Sequence, residues 1–200
     1  MLNKSKQSYK LAAKLALTGL LAVSSMTALS HSNVHAAAAS ASAGKNAQND
    51  YIKSIYKLAS EGKIPGLNAI AGKTPISAVH YKWGEPDVGG DLKGNHYEGY
   101  NLGMGKGEYS FGVNKSGVIY DLRNFGTSID RTGGVKSLTF ASVIKSLGTP
   151  KEVRFTGKDK IYVYHPSKAY ELKFVGPSKV AKGKIAHIDH INVYAGKANT

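Results

Sequence analysis

The sequence predicts an α+β fold in which helices cover one face of an antiparallel sheet, built as two tandem helix-plus-meander units. Three observations predict it. Two short apolar stripes at helical spacing end in the same Gly-x-Pro stop. Each stop is followed by several strand-length runs, and the two blocks align at an offset of 64 positions, with one gap where Phe111 matches Phe174. Helices that each feed a meander bury their stripes by lying together on the sheet.

Taken in order, residues 1–36 read as a secretory signal peptide. Lys4, Lys6, Lys10 and Lys14 form a basic start without an acid, and Leu15 to Val23 is an apolar run. That run is too short for a spanning helix, which needs about 20 apolar residues. Val34-His35-Ala36 offers the small side chains a signal peptidase reads, so cleavage is expected after Ala36, with Ala37 and Ala38 as alternatives. An uncleaved anchor is the rival reading. The Ala- and Ser-rich stretch 37–49 has little to bury and is expected as a disordered leader.

One domain is expected over residues 50–197. Asp50 suits an N-cap, and Ile52, Ile55, Tyr56 and Ala59 follow at helical spacing until Gly62 and Pro65-Gly66 stop the helix. The two repeats span about 72–126 and 135–195. In the first, Ile76, Val79, His80 and Trp83 form one helical stripe; in the second, Phe140, Val143, Ile144 and Leu147 do the same. Gly84 and Gly148 sit where a left-handed cap is wanted, and Pro86 and Pro150 forbid continuation. Strands are expected at 96–102, 108–114 and 118–125, then at 152–155, 160–165, 170–175 and 185–194. Asn114 to Gly117 reads as a hairpin turn.

Composition narrows the partners. There are 27 Lys and Arg against 13 Asp and Glu, a net charge of +14, which loss of the four leader lysines lowers to +10. A charge of that size predicts salt-dependent contact with polyanions. Outside a cell these are wall polymers and lipid headgroups rather than nucleic acid; a plain solvated basic surface is the alternative. Cysteine is absent, which excludes a thiol nucleophile, thiolate metal ligands, a lipidated cysteine and disulfide support. That habit suits a Gram-positive exporter.

Glu61-Gly-Lys-Ile-Pro-Gly66, the helix ending Trp83-Gly-Glu-Pro-Asp87, the helix ending Leu147-Gly-Thr-Pro-Lys151 and the Tyr-rich strands together resemble the Bacillus YjgB-like secreted domain family of unknown function. The resemblance runs from about Asp50 to Tyr194. A helix ending in Gly-x-Pro before a meander is also distantly similar to the repeats of beta-lactamase inhibitor proteins and of BamE-type lipoproteins, although the latter need a lipidated Cys that this chain lacks. Neither likeness carries a catalytic set. What they imply is a non-enzymatic role exercised through a surface.

Catalytic and metal motifs are missing: there is no Gly-x-Ser-x-Gly, no His-Glu-x-x-His and no Asp-rich calcium loop. Gly103-Met-Gly105-Lys-Gly107 reads as a strand connection, since no helix pattern follows to aim at a phosphate. Five His follow the leader. His80 is expected as a hydrogen-bonded core residue. His187 and His190 would point to opposite sides of a strand, leaving His187 and Asp189 on one face without a third partner. Asp87 and Asp91 read as solvated loop acids. Asp121 and Arg123 share a strand face opposite Val118, Tyr120 and Leu122, as a surface pair worth little.

The tyrosines leave two assignments open. If Ile161 and Val163 face the helices, Tyr162 and Tyr164 point away, flanked by Lys160, and offer rigid contact area for a protein or sugar. In the reverse assignment they are core. The expected function is a secreted non-enzymatic binding module at the Gram-positive cell surface, possible forms being an inhibitor of an extracellular enzyme or a wall-polymer binder. It is expected as a monomer without cofactor, metal or nucleic acid, with Tyr162, Tyr164, Lys160, Arg123, Tyr97 and Tyr100 as binding residues. The alternatives are a secreted wall hydrolase using Asp87, Asp121, His187 and Asp189, and a structural spore or matrix component.

Overall fold

A computed structural model describes residues 32–89, 94–103, 105–127 and 134–200 of the chain. Leader residues 1–31, Asp91 and Met104, all singled out above, lie outside the described residues. Helix α1 is Ser32–Ser60, α2 Ser77–Trp83, α3 Gly134–Ser137 and α4 Phe140–Leu147. The strands are β1 His96–Asn101, β2 Glu108–Val113, β3 Ile119–Gly126, β4 Glu152–Thr156, β5 Asp159–Tyr164, β6 Glu171–Pro177 and β7 His190–Tyr194. The first six strands lie where expected; the seventh, expected at 185–194, is strand only over His190–Tyr194, and the fold is α+β.

The helix expected to start at Asp50 instead runs on from Ser32, so the stretch 37–49, expected as a disordered leader, is helical. Alanine has the highest helix propensity, and this stretch is rich in it. Gln48 Nε2 donates to the Ser137 carbonyl at 3.1 Å, which ties the end of this stretch to α3. The short helix α3 carries no sequence signal beyond Val135, its one buried residue.

The seven strands form a single sheet in the order β1-β2-β3-β7-β6-β5-β4, antiparallel throughout. Register defines its two faces. One row runs Glu98, Phe111, Leu122, Val193, Leu172, Tyr164, and a parallel one Tyr100, Tyr109, Asn124, Ile191, Phe174, Tyr162. Phe111, Leu122, Val193, Leu172, Ile191 and Phe174 are completely buried, in one cluster with Ile52, Ile55 and Ala59 of α1, Val79 of α2, Val135 of α3 and Phe140 and Val143 of α4. The helices therefore lie on that face. Burying a side chain of this size is worth about 1.5–3 kcal/mol.

The Gly-x-Pro stops act as expected. Gly84 and Gly148 adopt positive φ of 82° and 80° and donate their N–H to the carbonyls of His80 and Ile144, each at 2.8 Å. Ile76, Val79, Phe140 and Val143 are buried, and Trp83 and Leu147 pack on the core. α4 has a side-chain cap that α2 lacks: Thr139 Oγ1 accepts from Ser142 N, and Ser142 Oγ accepts from Thr139 N.

Several contacts recur 64 positions apart. Tyr100 Oη donates to the Gly84 carbonyl at 3.3 Å, and Tyr164 Oη to the Gly148 carbonyl at 2.8 Å. Asp87 N donates to Gly99 O, and Lys151 N to Val163 O, both at 2.9 Å. Tyr100 meets Phe111 edge-on at 5.6 Å, and Tyr164 meets Phe174, which lies 63 positions after Phe111, at 5.9 Å. The halves differ at one edge: β4 pairs along its length with β5, whereas its counterpart beside β1 is the single Val88–Gly99 bridge.

Candidate functional site

The opposite face of the sheet carries none of α1–α4, and beside Ile161, Val163 and Val175 its side chains are polar and aromatic. One row across it reads Tyr97, Gly112, Asp121, Tyr194, Glu171; the next reads Gly99, Ser110, Arg123, Asn192, Lys173, Val163, Glu152. Alternation along β3, β6 and β7 puts these groups outside while Leu122, Phe174 and Ile191 point to the core.

Asp121 is the anchor. It is 2% exposed, and its Oδ2 accepts from Arg123 Nε at 3.0 Å and from Tyr97 Oη at 3.0 Å. Arg123 Nη2 closes the triangle by donating to Tyr97 Oη at 2.7 Å, and the guanidinium lies 4.1 Å from the Tyr97 ring centroid. The Asp121–Arg123 pair is thus no surface pair: its carboxylate is buried, and only the Arg123 side chain, 29% exposed, reaches solvent. Burial first, and then the negative charge of Asp121, push the Tyr97 phenol up, so it acts as a neutral hydrogen-bonding group.

Tyr120 corrects the expected parity. A bulge between Gly112 and Val113 leaves Tyr120 without a partner on β2, and its ring turns to the open face. There it sits between Tyr97 and Tyr194, edge-on at 6.1 and 5.9 Å. Gly112 makes room: a Cβ there would lie 2.9 Å from both the Asp121 Cβ and the Tyr120 ring. Beyond Tyr194 the charges continue. Lys173 Nζ stands 3.8 Å from the Tyr194 ring centroid and 3.3 Å from Glu171 Oε2, and Arg154 grips both Glu171 oxygens at 3.2 and 3.3 Å. Burial works against the Glu171 charge, but Arg154 and Lys173 outweigh it and hold the carboxyl below its usual range. Two acceptors, Asp121 Oδ1 and Asn192 Oδ1, are buried here without a protein partner.

Of the six residues expected to bind, the structure brings Arg123 and Tyr97 together on this face. The other four point to the helix side. Tyr100 and Tyr164 are core residues that donate to the glycine carbonyls at the ends of α2 and α4. Tyr162 packs against Phe140 at 4.6 Å, and Lys160 lies over both rings, at 4.1 and 5.1 Å. The core assignment of the tyrosines therefore holds. Ile161 and Val163 face the other way because Phe174, across from Tyr162, is itself core.

On the helix side, the first half holds a polar cluster. Glu98, 2% exposed, meets His80 Nε2 at 2.7 Å and His96 Nε2 at 3.1 Å, with Tyr100 Oη at 3.4 Å. His80 is hydrogen-bonded as expected but stands at the helix flank, its side chain 31% exposed, rather than in the core. Burial lowers the His96 pKa, but the Gly94 carbonyl and Glu98 overcome that effect and raise it.

The four residues named for hydrolysis are spread out. Asp87 accepts from Asn101 N at the far end of β1, and Asp121 is buried under Arg123. His187 bridges to Thr139. Asp189 is taken up by His190 and Lys136, both at 2.8 Å, which hold it well below the usual carboxylate range. No group of three His, Asp or Glu among the described residues can hold a metal ion. No described helix is long and apolar enough to cross a membrane. Sequence reasoning missed Tyr194, Lys173, Glu171 and Asn192, although the alternation of polar and apolar residues in β6 and β7 signals them.

An α+β protein with α1–α4 on one side of the sheet and an open face rich in polar and aromatic groups on the other is the class these features define. The chain belongs to the family described as Domain of unknown function (DUF4309), whose model matches residues 52–194. It is 33% identical over 155 residues to the uncharacterized protein YjgB of Bacillus subtilis, covering 73% of this chain and 74% of that protein. The crystal structure of that DUF4309 family protein superposes with a TM-score of 0.61 at 29% identity, covering 74% of this chain and 97% of the other. An extracellular protein with an SCP domain from Bacillus anthracis gives a TM-score of 0.41 at 12% identity, over 66% of this chain and 48% of that one.

Proposed function

We propose that this is a secreted, non-enzymatic binding module that acts at the Gram-positive cell surface and meets its partner on the open sheet face. The observation that carries the reading is the Tyr97–Asp121–Arg123 triangle with its neighbours Tyr120, Tyr194 and Lys173. Large amphipathic side chains are held there in fixed positions by mutual bonding, which lowers the entropy lost when a partner docks. The partner is an extracellular protein or an anionic wall polymer, in keeping with the chain's positive charge. We also read the sheet as two tandem helix-plus-meander units meeting at β3 and β7. The contacts that recur 64 positions apart support that reading.

The test uses purified wall sacculi and the chain from residue 37 to 200. It should sediment with sacculi at low salt and be released at high salt. Ser110→Glu, which sets a carboxylate on the open face beside Arg123, should cut sedimentation at least tenfold. Ser146→Glu, on α4 behind the sheet, should leave it unchanged. Equal loss in both variants, or no sedimentation at any salt, defeats the proposal.

A further inference from the structure

We propose a second, anion-binding site at the end of the sheet, one that takes a phosphate group of a phosphodiester-linked polymer. This deepens the binding-module reading and rests on it. A cavity of about 270 Å³ opens between the loop joining β5 to β6 and the turn that follows β7. Its walls include His165, Lys168, Tyr170, Glu171, Tyr194 and Lys197. It is continuous with the open face, because Tyr194 and Glu171 belong to both.

The charge balance singles it out. Glu171 is the acid in the wall, and both its oxygens are already occupied by Arg154 and Lys173. Glu152, the next carboxylate along, pairs with Arg154 at 2.8 Å and lies 3.8 Å from His165. Two carboxylates thus face Arg154, Lys173, Lys168 and Lys197, and the last two have no ion-pair partner among the described residues. An excess of two positive charges in a concave site attracts a dianion or two successive phosphodiesters. Lysine suits phosphate as a mobile point charge, and the half-buried ring of Tyr194 supplies an apolar wall for the sugar or polyol between phosphates.

The experiment titrates inorganic phosphate, and separately glycerol 3-phosphate, into the 37–200 chain while backbone amide shifts are followed by NMR. Saturable shifts confined to residues 165–171 and 194–197, at millimolar ligand, are expected. Lys168→Ala/Lys197→Ala should weaken both at least fivefold. Lys179→Ala/Lys182→Ala, which removes the same charge from an exposed loop, should change neither by more than a factor of two. Stronger binding of glycerol 3-phosphate than of inorganic phosphate assigns the Tyr194 ring to the polyol; equal binding assigns the site to the phosphate group alone and supports the proposal in that form. Shifts spread over all lysines, or equal loss in the two double variants, overturn it. Sedimentation with sacculi is read in the same variants. If it survives while phosphate binding at the pocket fails, only this inference falls.

Discussion

Removing Arg123 should destabilise the fold more than removing the acid it pairs with, and removing both should cost less than removing Arg123 alone. The reasoning lies in unequal burial. The Asp121 side chain is 3% exposed and that of Arg123 29%. In Arg123→Ala the carboxylate keeps a single donor, Tyr97 Oη, while its other oxygen already has none. A buried charge stranded in this way costs about 3–5 kcal/mol. In Asp121→Ala the guanidinium still reaches water and the Tyr97 ring, so the loss is about 1–2 kcal/mol, the value of its broken bonds. Asp121→Ala/Arg123→Ala strands no charge and should fall near the milder single variant. Urea unfolding followed by the fluorescence of Trp83, the chain's one tryptophan, measures all three. A cost below about 1 kcal/mol for Arg123→Ala, or a double variant no more stable than Arg123→Ala, would refute the argument.

Two further outcomes follow from the same geometry. Tyr164→Phe should cost about 1 kcal/mol, since it removes the 2.8 Å bond to the Gly148 carbonyl. Burial and the neighbouring Tyr162 push the Tyr164 phenol up to about 12. Its contribution is whole below pH 10 and fades as pH rises through 12, so in alkaline unfolding the variant should show a shallower decline; an unchanged slope contradicts the assignment. Gly112→Ala should lower stability by about 1–3 kcal/mol by driving a methyl into Tyr120 and Asp121, and thermal unfolding at the wild-type temperature would show that the bulge is not packed as described.

Much of the scaffold was legible because it rests on local signals. Gly84-x-Pro86 and Gly148-x-Pro150 mark helix ends through backbone geometry alone, and the stripe Ile52, Ile55, Ala59 needs only a period of 3.6. The open face was legible in part. Asp121 and Arg123 were placed on it by alternation, yet alternation cannot say which parity is core, and both assignments of Tyr162 and Tyr164 satisfied it. What decides is Phe174 opposite Tyr162 and Leu172 opposite Tyr164, contacts set by register between strands. Tyr120 was misplaced for a sharper reason: a bulge inserts one residue and inverts parity from that point, and its trigger, Gly112, reads like any strand glycine. The helical extension before Asp50 was read as leader because its composition offers little to bury, while its alanines favour helix regardless.

The pairing of β3 with β7 also sets the order in which the chain can assemble. Within each meander the hairpins join strands close in sequence, but Arg123 and Asn192, which face each other across the seam, are separated by nearly all of the second half. Loop closure over that distance is entropically dearer than closing any hairpin, so the two halves can organise early while the seam waits for the last strand. A chain halted on the ribosome before β7 emerges therefore lacks the strand that makes the sheet continuous, and with it the face bearing Asn192 and Tyr194.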